Sequence, residues 1–114
     1  MAFTDSELTT IGAALDDFCV RHSPADHSDQ LRTAYEVERL AVILFEERPD
    51  WRGTGEWMRT PIARFRYVRS QDEWELYWMR ADLKWHFYEP AGRVRRLSTL
   101  VRDVERDEYG CFFG

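Results

Sequence analysis

Residues 74–88 read WELYWMRADLKWHFY, and the way this stretch alternates decides the fold. Up to Trp78 the even positions Trp74, Leu76 and Trp78 are apolar while Glu73 and Glu75 are polar, the period-two pattern of a strand with one buried face. The pattern then inverts. Tyr77, Met79, Ala81, Leu83, Trp85 and Phe87 make an apolar series, and Arg80, Asp82, Lys84 and His86 fall together on the other side. Side chains of a regular strand cannot change faces, so the inversion predicts a bulge or a tight turn near residues 79–82. Such features re-aim side chains, which makes this polar series the first candidate site.

Upstream, Thr4, Asp5, Ser6 and Glu7 form a capping box, and Leu8, Ile11, Leu15, Phe18 and Cys19 recur at helical spacing. A helix is expected over about 5–21. After a polar loop, HSPADHSDQ at 22–30, Leu31, Thr33, Tyr35 and Val37 alternate with charged residues as a strand with one buried face. LAVILF at 40–45 is apolar at every position and reads as a central strand covered on both faces, reached through a bend at Arg39 and followed by a loop over 46–56. A third strand over 57–69 has Ala63, Phe65 and Tyr67 on one face and Ile62, Arg64, Arg66 and Val68 on the other. Pro61 marks an edge or a bulge there, because it has no amide to donate.

Downstream of Gly92, a second amphipathic helix has Val94, Leu97, Leu100, Val101 and Val104 as its stripe and Gly110 as its close. Arg93, Arg95 and Arg96 crowd its first turn, where the macrodipole disfavours cations. A nearby carboxylate or an anionic ligand should therefore compensate. The apolar end, CFFG, is expected to dock. The order implies an α+β fold, a single antiparallel β-sheet of four to five strands flanked by an N-terminal and a C-terminal helix.

One domain over 1–114 is long enough to bury about two thirds of its unfolded surface. Aromatics at 15% exclude a disordered chain, and 32% charged residues imply a solvated exterior. The net charge of −5 hides an asymmetry. Residues 1–50 hold four arginines against eleven acids, whereas residues 57–96 hold nine cations against five acids, so the second half can face a polyanion. The plainer use of these charges is cross-strand pairing of Glu36 and Glu38 with Arg64 and Arg66. Residues 1–10 carry neither the basic region nor the apolar run of a secretory leader, and nothing approaches a membrane-spanning length. The expectation is a cytoplasmic protein, away from membranes, with Cys19 and Cys111 reduced.

PIARFRY at 61–67, WELYWMRADLKWH at 74–86 and the closing Asp107 with GCFFG resemble a bacterial family catalogued as domain of unknown function 3024. The resemblance runs from about residue 31 onward. It implies a small bacterial cytoplasmic protein and carries over no activity, cofactor or catalytic residue.

The residues themselves offer three chemistries. Arg64, Arg66, Arg80, Lys84 and His86, with the arginines at 93–96, can contact phosphates while Trp78, Trp85 or Tyr88 stack on bases, the combination used by single-strand binders. A binding module for nucleic acid, a nucleotide or another anionic partner, centred on 80–86 with Arg64, Arg66, Arg80, Lys84, Trp85 and His86 as contacts, is the leading reading. Alternatively, Asp82 and Lys84 form the acid-x-Lys end of a metal-dependent phosphodiesterase or nuclease site, with Glu75, Asp72 or Glu38 as second acid. The plain competitor is an ion-pair lattice of Asp82 with Arg80 or Lys84. The third class is self-association or protein interaction, in which an aromatic strand beside Pro61 pairs with a twin copy as a homodimer. Cys19, His22 and His27 with Asp26 or Asp29 do not complete a metal signature, and no cofactor is implied. Cys19 reads instead as a small buried apolar group and the histidines as solvated. Nucleophile elbows and glycine-rich phosphate loops are absent from the sequence.

Overall fold

The computed structural model describes residues 2–23 and 31–113. Helix α1 (Asp5–Arg21) begins at the capping box: the Thr4 hydroxyl accepts from the Glu7 amide at 3.2 Å and the Glu7 carboxylate accepts from the Thr4 amide at 2.8 Å. Strands β1 (Arg32–Glu38), β2 (Ala41–Pro49), β3 (Trp57–Val68), β4 (Glu73–Met79), β5 (Trp85–Phe87) and β6 (Arg93–Val94) follow, and helix α2 (Leu97–Arg106) closes the order. The strands form one antiparallel meander, β1-β2-β3-β4-β5, with the two-residue β6 pairing on β4. The fold is α+β, as the sequence predicts, with one strand more than expected.

Both helices pack on the same face of the sheet. Ile11, Leu15 and Phe18 of α1 and Leu97, Leu100, Val101 and Val104 of α2 join Val42, Leu44, Ala63, Phe65, Trp74 and Leu76 in a single core. Each fully buried large side chain of this set contributes roughly 1.5–3 kcal/mol. Among the described residues no helix covers the other face. Its buried members Ala41 and Phe45 are shielded by neighbouring side chains instead, with the Arg59 guanidinium 4.2 Å from the Phe45 ring. The two-sided burial expected of 40–45 is therefore half helix and half arginine. None of the described helices is long and apolar enough to cross a membrane.

Several local expectations are corrected. Arg39 and Leu40 make a two-residue hairpin rather than a bend, with Glu38 opposite Ala41 and Arg39 at a φ of 26°. The turn lacks glycine, but the Tyr67 amide donates to the Leu40 carbonyl at 2.8 Å and holds it from the third strand. Strand β2 continues to Pro49, shortening the expected loop, because 46–49 keep pairing with 57–60. A bulge does sit beside Pro61: Leu44 faces Ala63 while Phe45 faces Pro61. The extra residue, Ile62, turns inward and is buried, not outward as simple alternation predicts. Glu36 reaches across β2 to Arg59 at 2.8 Å rather than to Arg64 or Arg66, and Arg66 is held by Glu75 instead.

At the far end, Arg93 belongs to β6, and Arg95 and Arg96 precede the helix rather than filling its first turn. Arg93 finds the expected carboxylate in Glu75, at 2.8 Å. Helix α2 is ended by Asp107, left-handed at φ 44°, whereas Gly110 closes the following turn. The Asp107 carboxylate accepts the amides of Phe112 and Phe113 at 3.0 and 2.8 Å and folds the tail back. Phe112 then packs on Tyr88 and Phe113 stacks on His22, so the expected docking occurs.

Candidate functional site

The pattern inversion at 79–82 is a tight turn. Its closing bonds run from the Arg80 amide to the Lys84 carbonyl, 3.2 Å, and from the Leu83 amide to the Arg80 carbonyl, 2.8 Å. Asp82 shapes it from inside, one carboxylate oxygen accepting the Lys84 amide at 3.0 Å and the other accepting from His86 Nε2 at 2.9 Å. The His86 bond, then the Lys84 amide, hold the Asp82 carboxyl below its ordinary range. The ion-pair lattice expected with Arg80 or Lys84 is thus a bond to His86 instead.

The turn does not swap the two faces. Trp78 pairs with His86, and the Tyr88 amide donates to the Leu76 carbonyl, so even-numbered residues stay on the core side in both legs. What inverts is the chemistry. A polar His86 stands on the inner face, and Met79, Trp85, Tyr77 and Phe87 stand in two cross-strand pairs on the outer one.

The inner side opens into a cleft of about 480 Å³ lined by Trp78, Arg80, His86, Tyr109 and Cys111, with Phe87, Tyr88, Glu89 and Pro90 completing the wall. The Arg80 guanidinium lies 5.4 Å from the Trp78 ring. Tyr109, 64% exposed, and Cys111 come from the tail that Asp107 folds back. Neither was identified as a site residue by sequence reasoning; Asp107 ahead of Gly110 was the available signal, used there only for the family resemblance. Burial, then the nearby Asp107 charge, push the Cys111 thiol up, which disfavours the thiolate.

The predicted contact residues divide between the two sides. Arg80, Lys84 and His86 gather at the turn and cleft, whereas Arg64 and Arg66 lie on the outer face opposite Tyr77 and Glu75, and Trp85 pairs with Met79 on that face. Tyr88, offered as a stacking group, is buried against Phe112. Among the described residues, the side chains of Arg64, Arg80 and Lys84 have no carboxylate partner, while Arg59, Arg66, Arg69 and Arg93 are all paired.

Glu75 does not join Asp82 and Lys84. Its side chain is 4% exposed; one oxygen accepts from Arg66 at 2.9 Å and from the Tyr77 hydroxyl at 3.0 Å, and the other from Arg93 at 2.8 Å. Burial alone would raise its carboxyl, but the bonds from Tyr77, Arg66 and Arg93 outweigh it and hold the group below its ordinary value of 4.5. It sits four residues from the end of β4, roughly 13 Å along the strand from Met79, with its acceptor sites spoken for. Glu38 lies on β1, three strands away from the turn.

Cys19 is half-buried, its thiol pushed up to about 11 by burial and then by Asp16. His22 is not a solvated group: its ring stacks 4.2 Å from Phe18, with Nε2 3.7 Å from Glu105. His27, Asp26 and Asp29 lie outside the described residues. Within the described residues, no group of three or more His, Cys, Asp and Glu side chains is placed to hold a metal ion, and both cysteines are free.

Fold and cleft together define a small α+β domain with a charged and aromatic recess at a hairpin turn. The chain belongs to the family described as a domain of unknown function (DUF3024), whose model matches residues 3–114 and so extends the likeness to α1. No curated protein and no solved structure matches the chain.

Proposed function

We propose that this chain acts as one binding domain whose cleft takes an anionic ligand carrying a planar ring, of the nucleotide class. The observation that carries this is Arg80, a cation over the Trp78 ring at the cleft mouth with no carboxylate partner among the described residues. In this reading the ring enters against Trp78 and Tyr109, and the phosphate meets Arg80 and the Lys84 ammonium. His86, fixed through Asp82, lines the wall and offers its other ring nitrogen. A guanidinium to phosphate contact is charge-assisted and often bidentate, contributing about 1.5–3 kcal/mol.

Titration calorimetry with nucleoside monophosphates tests it. Wild-type protein should bind, and Arg80→Ala, an exposed position whose loss leaves the core intact, should weaken binding by about tenfold or more. Lys84→Ala should lower the salt dependence. Absence of binding, or equal affinity in Arg80→Ala, would end the proposal.

A further inference from the structure

We infer that the cleft's ligand is one unit of a single-stranded polynucleotide, whose next bases pass over the turn and lie on the outer face of the β4–β5 hairpin. This deepens the reading of the cleft and rests on it. The first observation is the outer face itself. Tyr77 and Phe87 meet edge to face, 5.8 Å between centroids, and Met79 and Trp85 form the adjacent cross-strand pair. Phe87 is 37% exposed, and no described helix covers the row. Arg64 lies 5.7 Å over the Tyr77 ring. Its neighbour Arg66 is held by Glu75, but Arg64 has no carboxylate partner among the described residues.

The second observation is Leu83. It occupies the turn at φ 62° with 80% of its surface exposed. Left-handed backbone suits glycine or asparagine, and an exposed leucine gains nothing from the core. Neither feature serves the core, which points to a contact outside the chain. Strain of this kind concentrates at functional positions.

Cleft, turn and aromatic row follow one path around the hairpin, with Arg80 and Lys84 at the turn and Arg64 beyond it. A free nucleotide fills the cleft and leaves Leu83 and the row unused. A duplex keeps its bases stacked inside and cannot offer them to Phe87 or Trp85. A single strand presents bases to aromatic rings and phosphates to cations together.

The test is titration calorimetry with thymidine monophosphate, oligothymidylate and oligouridylate of about eight nucleotides, and a duplex of similar length, within the usual site sizes of single-strand binders. With at least about fivefold affinity per stacked base, an oligomer using two outer bases should bind about 25-fold more tightly than the monophosphate. Trp85→Ala, on the outer face and not part of the cleft lining, should remove most of that gain and leave monophosphate affinity unchanged. Leu83→Asn should raise thermal stability while weakening the oligomer, a combination that damage to the fold cannot produce. Oligomers that bind no more tightly than the monophosphate overturn the path and leave the cleft reading standing. Tight binding that Leu83→Asn leaves intact overturns it too, as does preference for the duplex. If no probe binds, both readings fall. Should Trp85→Ala weaken monophosphate and oligomer alike, Trp85 belongs to the fold and the Leu83→Asn result decides.

Discussion

Replacing Glu75 by glutamine keeps shape and removes charge. Its side chain is 4% exposed, whereas Arg66 and Arg93 are 48% and 49% exposed. Removing one partner of a fully buried ion pair costs roughly 3–5 kcal/mol. Here water reaches both guanidinium groups and takes back about half, which leaves about 2 kcal/mol. The glutamine amide adds its own donors against guanidinium donors, so the sign is secure. Unfolding entropy near 60 °C is about 2.1 cal/mol/K per residue, about 0.24 kcal/mol/K here, so the melting temperature should fall by about 8 °C at pH 7. Because the folded carboxyl lies below its ordinary value of 4.5, its stabilisation is complete above that value and is lost as the pH falls through the folded one. The gap between wild type and Glu75→Gln should therefore stay constant from pH 7 down to about 5 and narrow below it. Thermal melts followed by circular dichroism across that range measure this directly. A melting temperature unchanged at pH 7, or a gap that widens in acid, would refute the account.

Three further outcomes are expected. Thr4→Ala removes the hydroxyl half of the capping box and should destabilise by about 1 kcal/mol in chemical denaturation, with little effect on the denaturant slope. Asp107→Ala loses both tail bonds and places alanine in left-handed backbone, for about 2–3 kcal/mol; Asp107→Asn, which tolerates that conformation and keeps one acceptor, should lose about half as much. Tyr109 fluorescence or proteolysis of the tail would report the same release. With the Cys19 thiol near 11, only about one molecule in a thousand carries its thiolate at pH 8, so iodoacetamide followed by mass spectrometry should label the native protein slowly and the denatured protein fast. Equal rates would show that burial does not govern this thiol.

Much of the architecture was legible because local chemistry and packing agree. Thr4 and Glu7 set the start of α1, and Leu97, Leu100, Val101 and Val104 set the buried stripe of α2. Reasoning failed where tertiary bonds override local preference. Arg39 adopts positive φ because its turn is tied to β3, Ile62 faces inward because of a bulge, and Asp107 ends its helix while its carboxylate takes the amides of Phe112 and Phe113 in the folded-back tail. The candidate site was half legible. The inverted pattern of 79–87 does mark it, but by placing a histidine inward and a phenylalanine outward rather than by moving the chain between faces. Cross-strand partners also escaped prediction: Glu75 looked available for catalysis until Arg66, Arg93 and Tyr77 were seen to surround it.

The meander order has a consequence for how the molecule is made. Each of the first five strands pairs with its sequence neighbour, so the sheet can zip up hairpin by hairpin while the ribosome is still at work. Helix α1, translated before the sheet, packs against α2, translated after it. Until α2 emerges, Ile11, Leu15, Phe18 and the inner face of the sheet lack their lid, and the nascent chain carries a greasy, half-closed sandwich. Products stalled or truncated ahead of α2 should accordingly be sticky and prone to chaperone capture, whereas the arrival of α2 closes the core.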